Sequence, residues 1–119
     1  MRAILFGGSS TVELSQRVRD LYHPRVEDVC LPNVLHALSD PVRLEIVRVL
    51  ATLDEIPSSS VNAAVSKSTM SHHFKVLREA GVTHTRVNGT KRMMSLRQVE
   101  LEERFPGLLG CVLDAAKAA

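Results

Sequence analysis

The residues able to do chemistry crowd into one stretch of this chain. Between positions 66 and 97 lie seven Lys/Arg (Lys67, Lys75, Arg78, Arg86, Lys91, Arg92, Arg97) and a single acid, Glu79. Residues 1–65 carry six Lys/Arg against eight Asp/Glu, and residues 98–119 carry two against four. The net charge of +2 therefore conceals a strongly basic block inside a slightly acidic chain. Such a block favours a polyanionic partner, because each cation that meets a phosphate releases a condensed counterion. The plainer alternative is a solvated basic surface. Interleaved with the cations are hydroxyl, amide and imidazole groups: Ser68, Thr69, Ser71, His72 and Asn88. These donate to phosphate oxygens or base edges.

A helix is expected over Thr69–Ala80, capped by Ser68 and closed by Gly81 in a left-handed conformation. At about 100° per residue, Met70, His73, Phe74, Leu77 and Ala80 form its buried side. Ser71, His72, Lys75 and Glu79 face outward, and Thr69 sits near the boundary. Val76 is half-exposed and has no assigned role. Neighbours such as His72 and His73 point in different directions on a helix, so the pair is not expected to bind a metal. His72 is a contact candidate and His73 a structural one.

After Gly81 the apolar period becomes strand-like. Val82–Val87 and Thr90–Leu96 flank Asn88-Gly89, the strongest short hairpin signal, since a type I′ turn needs positive φ at both central residues. A two-residue loop at Asn88-Gly89 predicts Arg86 opposite Lys91 and Thr85 opposite Arg92. Cations directly opposite each other destabilise a hairpin. Their presence at its tip therefore points to an anion.

Other elements must hold these two in place. Thr11–Tyr22 has helical spacing and is stopped by His23-Pro24, while residues 1–10 read as a loose arm. Apolar residues recur helically from Arg25 to Leu38, with Pro32 as a start or kink. Asp40 and Pro41 announce a helix through Leu53, whose broad apolar face suits the middle of a core. Residues 54–60 read as a loop, and 61–65 as a turn or two of helix. The tail reads as two helical pieces, the first anchored by Leu101 and Phe105, the second opened by Pro106. In the second, Leu108, Leu109, Val112, Leu113 and Ala116 make an apolar stripe. This stripe either joins two copies or packs on its own domain.

Short helix, tight turn, polar-faced helix and basic hairpin together make a winged helix-turn-helix. The fold class is mainly α with a small β-hairpin. The expected parts are an extension with a short helix (1–25), a DNA-binding core (26–97) and a C-terminal dimerisation helix (98–119). With 119 residues the chain suits one domain and excludes large enzymes with separate cofactor and substrate domains. It is 45% hydrophobic and 24% charged, which argues against wholesale disorder. Aromatics are only 3%, so the core must be aliphatic. No apolar run approaches the ~20 residues of a membrane span, and Ala3–Phe6 is too short for a signal core. Two cysteines make no disulfide framework and suit a reducing cytoplasm. The chain has no Gly-rich phosphate loop, nucleophile elbow or paired carboxylates; Glu100, Glu102 and Glu103 read as the wet face of a helix. Neither an enzyme nor a cofactor is expected.

The stretches Leu35–Ile46 (LHALSDPVRLEI) and Ser66–Gly81 (SKSTMSHHFKVLREAG) resemble the ArsR/SmtB family of bacterial transcriptional repressors. The first is similar to the family's "ALSDPxRLxIL" entry, the second to its "LSQSTVSRHLKVLREAGL" recognition segment. With the hairpin, the resemblance covers about residues 34–96. It implies a homodimer joined through its first and last helices, bound to a pseudo-palindromic DNA operator and released by an effector. By matched position it implies DNA contacts at Ser68, Thr69, Ser71, His72 and Lys75, and wing contacts at Arg86, Lys91 and Arg92; Lys67 and Asn88 beside them are further DNA-binding candidates. His72 stands where the family usually has Arg, and Phe74 where it has Leu. The family's metal sites are absent: Asp54, Glu55 and serines stand in place of a Cys-x-Cys, and residues 98–119 hold no His. Cys30 and Cys111 lie on helices that neighbour each other in the implied dimer, so they are thiol-sensing candidates. The alternative is two buried small apolar residues. The partners implied are double-stranded operator DNA and a second copy of the chain, with no membrane and an effector not yet specified. The competing function is a winged-helix protein-interaction module without DNA binding, since fold alone does not fix function. Clustered cations at the hairpin tip favour DNA.

Overall fold

The computed structural model describes residues 21–61 and 65–118. The arm and most of the helix expected before His23 lie outside the described residues, as do positions 62–64. Leu21 and Tyr22 are not helical.

The helical spacing from Arg25 to Leu38 resolves into two pieces. A 3-10 turn spans Val26–Asp28. Helix α1 (Leu31–Leu38) follows, with Pro32 in its first turn, where a missing N–H costs nothing. Helix α2 (Pro41–Thr52) starts as its sequence predicts. The Asp40 carboxylate accepts from the amides of Val42 (2.9 Å) and Arg43 (3.1 Å). Those amides, Arg43's first, hold the Asp40 carboxyl below its ordinary value. Ile46, Val47 and Leu50 carry α2 into the core, while Val49 and Leu53 remain exposed.

Helix α3 (Lys67–Glu79) begins two residues earlier than expected, and its cap is Ser66, not Ser68. The Ser66 hydroxyl accepts from the Thr69 amide at 3.2 Å. Ser68 then falls inside the first turn, exposed. At the other end Gly81 takes φ +87°, and a Cβ there would sit 2.5 Å from a Val29 methyl. Both the turn and the close approach of Val29 require glycine.

The hairpin is present in a different register. Strand β2 (Thr83–Asn88) pairs with β3 (Lys91–Leu96), joining Asn88 to Lys91, Val87 to Arg92, Arg86 to Met93 and Thr85 to Met94. The two loop residues are therefore Gly89 and Thr90, and only Gly89 (φ +65°) has positive φ. That is the pattern of a type II′ turn, with glycine first, and not of type I′. Arg86 does not face Lys91, so the expected repulsion of opposed cations does not arise. A third strand missing from the sequence reading, β1 (Ile56–Pro57), lies in the segment read as a loop. It pairs Ile56 with Met94 and Pro57 with Met93, giving the sheet order β1-β3-β2. A two-residue strand containing proline carries almost no sequence signal, and proline is tolerated there because β1 is an edge.

The tail forms helix α4 (Gln98–Arg104) and helix α5 (Leu108–Ala118). Leu101 and Leu109 join the core formed by Val34, Ala37, Ile46, Val47, Leu50, Leu77, Val82 and Met94, while Leu108, Val112 and Leu113 pack on it half-buried.

Candidate nucleic-acid interface

Helix α3 presents Lys67, Ser68, Thr69, Ser71, His72 and Lys75 to solvent, and buries Met70, His73 and Leu77. Every residue expected on its outward face is exposed. Val76, unassigned from sequence, is half-buried against the core.

What aims this face is a node absent from the sequence reading. Arg43 of α2 is 6% exposed although charged. Its Nε donates to the Ala37 carbonyl (2.8 Å) and Nη2 to the His36 carbonyl (3.1 Å), closing the end of α1. Its Nη1 lies 3.1 Å from His73 Nδ1. A guanidinium only donates, so Nδ1 accepts and the ring proton sits on Nε2, which points toward Asp40 Oδ2 at 3.9 Å. One buried cation thus ties α1, α2 and α3 together. His73 is structural, as its position on the helix predicts.

The hairpin divides its cations between two faces. Alternation along the strands puts Arg86, Asn88 and Lys91 on the face turned from the core. Arg92 lies on the opposite face with Val87, in line with buried Met94. Lys91, Arg92 and Asn88 are exposed. Arg86 is exposed too, but paired. Its Nε and Nη2 donate to the two Glu55 carboxylate oxygens at 2.7 and 2.8 Å, a forked geometry. The Arg86 hydrogen bonds hold the Glu55 carboxyl below its ordinary value, and Glu55 raises that of Arg86. Glu55 precedes β1, so the missed strand is also what brings this partner to the wing.

Two cations of the basic block are not exposed. Arg97 is 9% exposed; it chelates Glu100 (2.7 and 3.1 Å) and donates to the Pro24 carbonyl (2.8 Å). Arg78 is half-buried. Along the free edge of β2, His23 Nε2 accepts from the Thr85 amide (3.0 Å), and its ring stacks on His84 with centroids 4.3 Å apart. Burial, with the positive neighbours His84, Arg78 and Arg97, lowers the His23 pKa to about 4.

Among the described residues no group of three or more His, Cys, Asp or Glu could hold a metal ion. Cys111 is exposed and Cys30 half-buried, so neither is the buried apolar filler that free cysteines usually are. Among the same residues no helix is long and apolar enough to cross a membrane.

Residues 38–86 match the model of a helix-turn-helix domain family, a span running from the end of α1 through α3 into β2. An HTH-type transcriptional regulator of Bacillus subtilis, YceK, is 37% identical over 86 residues, covering 70% of this chain and 86% of that protein. Among solved structures, an ArsR family transcriptional regulator superimposes with a TM-score of 0.56 at 17% identity, over 73% of this chain and 92% of the other. The transcriptional repressor BigR from Xylella fastidiosa superimposes with a TM-score of 0.50 at 26% identity, over 81% and 96%. A buried three-helix node that aims a polar helix, a basic hairpin beside it and a relative 37% identical over 86 residues lead to one assignment: the chain belongs to the DNA-binding helix-turn-helix transcriptional regulators, and its winged fold is like that of an ArsR family regulator.

Proposed function

We propose that this chain is a homodimeric repressor that binds a pseudo-palindromic operator and is released by an effector. The observation that carries the reading is the exposed polar face of α3 beside an exposed wing tip, both rigidly backed by the core. Lys67, Ser68, Thr69, Ser71, His72 and Lys75 enter the major groove. Ser71 and His72 face base edges, and Lys75 meets phosphate. Asn88, Lys91 and Arg92 reach the flanking backbone or minor groove, joined by Arg86 when it leaves Glu55. The repressor role is supported by the likeness to BigR, itself a repressor.

Dimerisation joins the first and last helices of two copies, α1 and α5. In support, α1 exposes Leu31 (40%) and Leu35 (46%) one turn apart, and the α5 stripe is only half-buried by its own chain. Cys30 at the start of α1 and Cys111 on α5 lie in these same regions and are accessible. Thiol modification at the dimer joint is therefore the proposed route of effector sensing. The reading includes a cytoplasmic location and no catalytic role.

The test is fluorescence anisotropy with the duplex upstream of its own gene, at several salt concentrations, using wild type, Lys75→Ala and Arg92→Ala. Expected is tight, sequence-dependent binding that weakens steeply with salt, with each variant losing on the order of tenfold affinity. Binding that ignores sequence, or variants that behave as wild type, would contradict it.

A further inference from the structure

Arg78 is the one cation of α3 for which neither the sequence motif nor the wing supplies a role. Its Nε is buried and has no hydrogen-bond partner among the described residues. Helical spacing puts it on the same face as Ser71 and Lys75, at i, i+4 and i+7. Across the crevice, strand alternation sets Arg92 on the hairpin face that looks toward the core, not on the face of Arg86 and Lys91. The two guanidiniums are near enough that Arg92 disfavours the charge on Arg78, alongside the larger effect of burial, and adjacent Glu79 opposes both. Two neighbouring cations, one of them with a buried donor that has no partner among the described residues, form a seat for an anion.

The geometry of duplex DNA says which anion. A helix in the major groove and a hairpin at the adjoining minor groove must straddle one sugar–phosphate strand. That strand runs through the crevice between α3 and the hairpin. We infer that Arg78 and Arg92 together clamp a backbone phosphodiester of the operator in the crevice between recognition helix and wing. Arg78 approaches from the helix side and Arg92 from the hairpin side. This rests on the DNA-binding reading above and adds a phosphate site to it. Its role is to fix how deeply α3 sits in the groove, because a phosphate contact sets register without reading sequence.

The test combines protein and DNA changes. Wild type, Arg78→Gln, Arg78→Lys and Arg92→Gln are titrated against the promoter duplex in which single phosphates are replaced, one by one, by uncharged methylphosphonate. Thermal unfolding by circular dichroism accompanies each variant. Expected is one position per half-site where methylphosphonate weakens wild type about tenfold but weakens Arg78→Gln and Arg92→Gln clearly less, because each change leaves one arm of the clamp. The salt slope falls by about one for each Gln variant and is kept by Arg78→Lys. Arg78→Gln with wild-type affinity and slope would overturn the inference, as would a loss of affinity with an unchanged slope. Should Arg78→Gln fail to fold, wild type against Arg92→Gln decides, and the absence of a position where methylphosphonate weakens Arg92→Gln less than wild type sinks the clamp. If wild type binds the unmodified duplex and Arg92→Gln weakens that binding but Arg78→Gln matches wild type, only the clamp falls. If wild type binds no duplex, the DNA-binding reading falls and the clamp with it.

Discussion

Arg86 illustrates how one carboxylate changes the meaning of a cation. Its fork to Glu55 satisfies two of its donors and neutralises its charge, so a phosphate must displace Glu55 to bind it. Glu55→Gln removes the negative charge while keeping the side chain's length. The expected outcome is a severalfold gain in DNA affinity and a salt slope steeper by about one, read by anisotropy. Unchanged binding would mean that Arg86 never meets the duplex. His23 makes a second residue-scale prediction. Its pKa is lowered to about 4 from 6.5, so the unfolded chain binds more protons between those values and stability rises with pH across that window. The contribution is complete above pH about 6.5 and lost as pH falls toward 4. Solvent screening at this half-exposed ring leaves on the order of 1 kcal/mol. Urea unfolding of wild type and His23→Ala between pH 4 and 7 checks this, since the variant should lose that part of the slope. The outward residues of α3 were legible from sequence because helical periodicity alone sorts a face. Glu55 and Arg43 were not, because both act through contacts distant in the chain: Arg86 lies 31 residues from Glu55 and His73 lies 30 from Arg43.

At the scale of elements, capping and glycine chemistry were readable and register was not. Asp40, Pro41 and Gly81 each mark an end for a local reason, and each stands where the sequence predicts. The hairpin slipped by two residues along the ladder because Asn88-Gly89 carries the signal of one turn while Gly89-Thr90 satisfies another. In the observed ladder Met94 faces the core opposite Thr85. A slip of two keeps every side chain on its face, so burial patterning alone does not resolve it. The consequence of the slip is that Arg86 lies opposite Met93 and not opposite Lys91. Gly81 couples α3 to this sheet, and its replacement is the sharpest element-scale test. Gly81→Ala would force an L side chain to φ +87° with its Cβ against Val29. A loss of about 2 kcal/mol or more is expected by denaturant unfolding. A variant as stable as wild type would mean that the α3–β2 junction is not held as described.

For the molecule as a whole, the core explains why the two candidate contact surfaces move as one body. Leu77 of α3, Met94 of β3 and Leu50 of α2 are all fully buried within it, and Arg43 locks α1 to α3. A displacement at α1 or α5, where the second copy is proposed to join, therefore transmits to the recognition helix through packing and not through a flexible link. Composition and charge distribution announced the class of partner, since the basic block is local in sequence. They could not announce symmetry, because a dimer joint differs from a core only in what covers it. Half-exposed Leu31, Leu35 and the α5 stripe are apolar in either case. Hydroxyl-radical footprinting of the promoter duplex, bound by wild type, measures symmetry and groove engagement together. Two protected patches on one face of the duplex, about 10 base pairs apart or a multiple of it, are expected from paired recognition helices. A single patch, or protection that ignores sequence, would contradict a symmetric regulator seated by α3 and its wing.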